Sequence, residues 1–149
     1  MLPRWHIFLG AIFSIIFLIL FPSTAWYGVA IVFLSSFLID FDHYMCAVKK
    51  TNKIWLGDAL NYHKILMKKE KEEKRKKIFR KSDFHVFHTL EFHLLVLALA
   101  FVYSPFIYIF VGMLFHSLVD VIDMSYKKRI YRREFLLINW LRKNALFSK

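Results

Sequence analysis

Four apolar runs account for most of this chain, and each carries ionisable side chains inside it or at its end. Residues 5–21 (WHIFLGAIFSIIFLILF) are long enough to cross a bilayer. Residues 26–39 are short for a span, but become adequate if the helix runs on through Asp40 to Tyr44, giving 26–44. Residues 84–103 and 106–123 follow, with Ser104-Pro105 turning the chain between them. An ionisable group at membrane depth costs about 2.5–3.5 kcal/mol on insertion scales, so each such residue is a functional hypothesis by default.

Composition agrees with a membrane location. Of the 149 residues, 58% are hydrophobic and 19% aromatic, which is too apolar for an ordinary soluble domain of this size. The chain therefore reads as all-α: a four-span transmembrane helical bundle forming a single domain over residues 1–149. The first run lacks a small-x-small cleavage site and contains His6, so it is expected to be a mature helix rather than a signal peptide. The single Cys46 gives no disulfide framework and reads as an incidental interfacial residue.

The net charge of +11 is segregated from the apolar runs. That favours membrane-flanking charge over a nucleic-acid surface, and no specific nucleic acid is expected. Lysines and arginines crowd the loop 49–81 and the tail 126–149, while the links Pro22–Ala25 and Ser104-Pro105 have none. The positive-inside rule puts both termini and the loop in the cytoplasm, with the chain forming two helical hairpins. Every ionisable group then comes to the cytoplasmic side. The outer ends carry only Ser, Thr, Tyr and Trp.

Those groups are His6; Asp40, Asp42 and His43; His85, His88, Glu91 and His93; and His116, Asp120 and Asp123. Their types are those that bind zinc and similar ions. On a helix, His116, Asp120 and Asp123 fall within about 40° of one another, so one face offers two ligands. A His–Asp hydrogen bond that merely ties helices together would produce the same pattern. His93 lies about 140° from His88 on an ideal helix, so the three histidines of the third run cannot share one narrow face. Either they serve more than one ion, or the helix is distorted there. His85, nearest the loop, reads as the best bystander. Asp40 and Asp42 add two carboxylates to the end of an apolar helix, a placement whose desolvation a metal ion offsets. His63, in the loop, is a further candidate ligand.

In order and spacing, His6, I39-D40-F41-D42-H43, H88-T-L-E-F-H93 and H116-S-L-V-D120 resemble the YdjM-like membrane-bound metal-dependent hydrolases over roughly residues 6–123. Ile39 stands where that family has Pro, the Arg-Gly and Thr-His-Ser parts around the histidine pair are missing, and Asp123 replaces a Thr or Gly. The family is similar in turn to the all-helical zinc phospholipase C and single-strand nuclease superfamily. The resemblance implies an inner-membrane hydrolase with His6, Asp40, Asp42, His43, His88, His93, His116 and Asp120 as metal ligands, and two or three ions, most readily zinc. It also implies phosphoester hydrolysis, in which such ions polarise phosphoryl oxygens, supply hydroxide near neutral pH and stabilise the leaving oxygen. Glu91 and Asp123, beside ligands but outside the family-like motifs, are expected to orient the attacking water. That superfamily also uses its N-terminal amine as a ligand, which here would be Met1.

The expected substrate is a lipid-linked phosphate entering from the cytoplasmic leaflet, with the basic loop on anionic phospholipid headgroups. Within that loop, 64–81 reads as a solvated helix with Glu70/Lys74, Glu72/Lys76 and Glu73/Lys77 pairs, running toward the third span. Residues 130–147 read as an interfacial helix. Two other functions fit the residues: a metal-ion or proton transporter, and a non-catalytic membrane protein stabilised by metal. A transporter should have polar groups continuing to the outer side. No Walker loop, Rossmann fingerprint, H-E-x-x-H or G-x-S-x-G occurs.

Overall fold

The computed structural model describes residues 3–147, and every regular element among them is helical. Helices α1 (Pro3–Leu20) and α2 (Trp26–Leu38) form a hairpin around Pro22, whose ring disfavours helix in the residue before it. After a break at Ile39-Asp40 the chain continues as α3 (Phe41–Thr51). That helix ends on Asn52 in the left-handed region at φ 54°, a conformation asparagine tolerates. Then come α4 (Leu56–Arg75), a 3-10 turn at Val86–His88, α5 (Leu90–Val102), α6 (Phe106–Tyr126), a second 3-10 turn at Ile130–Arg132, and α7 (Leu137–Phe147).

The second apolar helix packs on both the first and the sixth, and α5 packs on α6. Two glycines set how closely they approach. A Cβ on Gly112 would run into the Ser35 hydroxyl and the Val32 carbonyl, and one on Gly10 into the Ser36 hydroxyl. Small residues at such contacts are how helices associate where lipid, not water, is the solvent.

The distribution of polarity is inverted. A small apolar core of Ile39, Val96 and Met113 is flanked by Phe87, Phe92, Phe106, Ile109 and Phe110. The other positions facing inward include Ser14, Ser36, His93, His116 and Asp120, all buried. On the apolar helices many outward-facing side chains are large hydrophobics: Ile19 is 71% exposed, Phe101 87%, Val102 85% and Ile122 67%. Trp26–Thr51, taken as one helix, and Phe106–Tyr126 are long and apolar enough to cross a membrane, whereas Arg4–Leu20 and Leu90–Val102 are shorter apolar helices.

Several boundaries differ from the sequence expectation. The third run does not become helical at residue 84. Thr89 is extended (ψ 151°) and caps α5, its hydroxyl accepting from Phe92 N at 3.3 Å, so His85 and His88 precede the helix. The second span does not run unbroken to Tyr44. The bond from Asp40 N to the Phe37 carbonyl, at 3.2 Å, tightens the chain to a 3-10-like turn before α3. The charged helix α4 starts earlier than 64 and stops at Arg75, with Lys77 left-handed (φ 55°). Among the described residues, Glu70 and Glu73 pair with Arg129, Arg132 and Arg80, not with Lys74 and Lys77. The tail becomes α-helical only at Leu137, after the 3-10 turn at Ile130–Arg132. Met1, whose amine the resemblance raised as a ligand, lies outside the described residues.

Candidate metal centre

Four separate segments bring histidines and aspartates together at one end of the helices. Helix α1 delivers His6 from its first turns, the α2–α3 break delivers Asp40, Asp42 and His43, the chain before α5 delivers His85 and His88, and α6 delivers His116 and Asp120.

His88 is the middle of the cluster, and both of its nitrogens are engaged. Its Nδ1 lies 3.1 Å from Asp42 Oδ2 and its Nε2 lies 3.5 Å from Asp40 Oδ1. Residues two apart on a regular helix point nearly opposite ways, about 200° apart. The tight turn at Ile39-Asp40 breaks that regularity, and both carboxylates address the same imidazole. Asp42 Oδ2 also accepts from the Phe87 amide at 3.1 Å, which fixes the 3-10 turn carrying His88.

Hydrogen bonding sets the tautomers. His116 Nδ1 is 2.8 Å from the Ser36 carbonyl, which can only accept, so Nδ1 carries the proton and the neutral ring has a bare lone pair on Nε2. A carboxylate is likewise acceptor-only, so the Asp42 contact calls for the proton of a neutral His88 on Nδ1, leaving Nε2 as the ring's acceptor. The two Nε2 atoms lie 3.2 Å from each other, with both rings almost fully buried, and in these neutral tautomers each would turn a lone pair toward the other. Two lone pairs so placed repel unless a cation or a proton sits between them.

Asp40 Oδ1 completes a near-equilateral triangle, 3.4 Å from His116 Nε2 and 3.5 Å from His88 Nε2. Asp120 Oδ2 lies 3.8 Å and 4.0 Å from the same two nitrogens. Donors at about 2.0–2.1 Å from a tetrahedral ion are roughly 3.4 Å apart. The Asp40, His88 and His116 atoms are spaced as donors to one zinc-like ion, with Asp120 Oδ2 somewhat farther from both nitrogens. His6 stacks on His116 with ring centroids 4.1 Å apart and places Nε2 3.3 Å from Asp120 Oδ1. It orients that carboxylate, and it also groups with Asp40 and His116. His43 Nε2 approaches Asp40 Oδ1 from the other side at 3.4 Å.

Other residues fall elsewhere than expected. His93 stands apart from these groups: Nδ1 donates to the Thr89 carbonyl at 2.9 Å, and Nε2 accepts from the Ser117 hydroxyl at 2.9 Å. With both nitrogens taken, it ties α5 to α6. Glu91 is turned away from the cluster. Its carboxylate accepts from the amides of Leu137 and Ile138 at 2.9 and 3.2 Å, capping the start of α7. Asp123 bonds Lys127 and Arg129, each at 2.6 Å, at the end of α6. The expectation that Glu91 and Asp123 orient a water thus meets carboxylates already committed to a helix cap and to ion pairs. His63 Nε2 donates to the His43 carbonyl at 3.1 Å, beside the cluster. His85, taken as a bystander, groups with Asp42 and His43.

Two contributors are invisible to motif reading. The Ser36 carbonyl fixes His116, and a backbone acceptor has no sequence signature. Arg133 Nη2 lies 2.8 Å from Asp120 Oδ2, although Arg133 read only as tail charge. No family model matches the chain, and no curated protein or solved structure matches it either.

Proposed function

We propose that this chain is a membrane-embedded, zinc-dependent hydrolase of phosphoesters, acting on a lipid phosphate from the cytoplasmic leaflet. The observation that carries the reading is the convergence of Asp40, His88, His116 and Asp120, with the Nε2 atoms of His88 and His116 3.2 Å apart and carboxylate oxygens beside both. Structural His–Asp pairs satisfy one another one to one; this set converges instead. When bound, zinc would supply Lewis acidity toward a phosphoryl oxygen and activation of water.

The remaining work falls to the chain. Asp42 and the Ser36 carbonyl hold the two imidazoles in the tautomers that present Nε2, the usual second-layer arrangement for ligating histidines. Arg133 places a fixed positive charge beside the site, suited to a phosphate oxygen. The four-span reading takes α1, α2–α3, α5 and α6 as the bundle. Its support is the inverted polarity: apolar side chains outside, Ser, His and Asp inside. The uneven spread of Lys and Arg supports a cytoplasmic loop and termini, and the family resemblance supports the reaction class.

The deciding experiment is metal analysis of the purified protein, joined to hydrolysis assays on a panel of phospholipids and lipid phosphates with chelator and zinc add-back. Chelator-sensitive release of a phosphoester product supports the reading. A metal-loaded protein that cleaves none of the panel but moves ions across liposomes would establish the transporter instead.

A further inference from the structure

We infer that the chain holds a second divalent transition-metal ion, in a pocket formed by Asp42, His43 and His85. This inference rests on the metal-binding part of the proposal above and is independent of hydrolysis.

The pocket is separate in its residues. Asp42, His43 and His85 bring ligand atoms within 4.8 Å of one another, and so do His88, His116 and Asp120. The two trios have no member in common, although Asp40, His43 and His88 also group, so the pockets adjoin across the His43 and His88 rings. Asp42 divides its carboxylate between them. Oδ2 is occupied by His88 Nδ1 and the Phe87 amide, and so serves the first ion indirectly. Oδ1 points the other way, toward His85 Nδ1 at 3.7 Å.

Those two atoms identify the pocket. Asp42 Oδ1 and His85 Nδ1 are both buried and have no hydrogen-bond partner among the described residues. Their residues are only 7% and 8% exposed. A separation of 3.7 Å is too long for a hydrogen bond, yet close to the roughly 3.4 Å between two donors on one tetrahedral ion. A buried polar atom left unpartnered is costly and rare, and here two face one another. The His43 ring lies against His85 with centroids 3.7 Å apart, closing the third side. One carboxylate and two imidazoles are donors for zinc and its first-row neighbours rather than for calcium or magnesium. Three protein donors leave a coordination position open, as in catalytic rather than structural sites. Asp40 Oδ1 lies between the pockets, 3.4 Å from His43 Nε2 on one side and 3.4 Å from His116 Nε2 on the other.

His85 is the residue on which the inference turns, since it stands outside the motifs that raised the other ligands. The test is metal stoichiometry of the full chain in detergent or nanodiscs, stripped with chelator and reloaded with Zn(II), then with Co(II) as a spectroscopic probe. Wild type should hold two ions per chain, His85→Ala one, His116→Ala one, and the double variant none. The Co(II) ligand-field bands of the ion remaining in His85→Ala should differ from those of the ion remaining in His116→Ala. Because His85→Ala opens a buried space, His85→Gln is measured alongside with circular dichroism to verify folding, and it should also lose one ion. A single ion in wild type, or a folded His85→Gln with wild-type metal content, would overturn the second pocket while leaving the first intact. Two ions without hydrolysis would sink the proposed reaction and leave the second pocket standing.

Discussion

Arg133 Nη2 lies 2.8 Å from Asp120 Oδ2, the oxygen that also faces the paired nitrogens of His88 and His116. A fixed cation and an incoming metal ion thus compete for one carboxylate oxygen. Removing the guanidinium should raise zinc affinity and impair capture of an anionic substrate. For Arg133→Gln we expect zinc to bind up to about tenfold more tightly, worth roughly 1.4 kcal/mol, with a higher KM for a lipid phosphate. Competition against a chromogenic chelator reads the first effect. Weaker zinc binding would mean that Arg133 positions Asp120 rather than competing with the ion.

Asp42→Asn tests the orientation of His88. The amide keeps the shape but loses the charge that holds the Nδ1 proton. Loss of such a partner typically reduces metal affinity by about 10–100-fold, and the same is expected here. Binding should also weaken as the pH falls, because protons compete for the same lone pairs. Isothermal titration in two buffers of different ionisation enthalpy should reveal protons released on zinc binding. Binding with no proton release would contradict a site built of histidines.

Gly112→Ala tests how the site is held together. The added methyl meets the Val32 carbonyl, a backbone atom that cannot rotate away. Overpacking of this kind costs about 1–3 kcal/mol. Because α2 leads into Asp40 and α6 carries His116 and Asp120, metal affinity should fall together with thermal stability. Unchanged melting in a metal-loaded sample would show that this contact does not set the helix separation.

Glu91→Ala separates a cap from a catalytic role. With both carboxylate oxygens on the amides of Leu137 and Ile138, its loss should loosen α7 and leave metal content and turnover per loaded protein near wild type. Amide hydrogen exchange across 137–147 is the readout. A collapse in turnover with α7 still protected would restore Glu91 to the chemistry.

The contact between α4 and the turn before α7 is expected to be acid-sensitive. The hydrogen bond from Arg132 Nη1 to Glu73 Oε2, at 3.0 Å, holds the Glu73 carboxyl below its ordinary 4.5, with desolvation opposing. A lowered folded-state value means stability that is fully present above about 4.5 and lost as the pH falls through the lowered value. The gap in melting temperature between wild type and Glu73→Gln should therefore close on acidification below that point. A gap that stays constant to low pH would assign the effect of the substitution to packing.

The helical class and most of the cluster were legible in the sequence because they rest on strong local signals. Apolar runs fix helices, and His116 with Asp120 lie on one face at any plausible register. What was hidden depends on breaks in periodicity. An unbroken helix cannot aim Asp40 and Asp42 at one imidazole, and the turn that allows it has no proline or glycine to announce it. His85 reads as a bystander only when it is placed on a helix that actually starts at Leu90, whereas His93 does lie on that helix and is engaged by Thr89 and Ser117. Glu91 could not be assigned to a cap without knowing that α7 begins beside it.

The inverted interior has a further consequence. Buried histidines and aspartates fill space that an ordinary domain gives to leucine and phenylalanine, and among the described residues the buried apolar cluster is as small as Ile39, Val96 and Met113. Without cations, clustered carboxylates and imidazoles oppose the very helix contacts on which the fold depends. If the cluster holds metal as proposed, folding and metal supply are one equilibrium, and a cell starved of that metal would lose the protein itself to proteolysis.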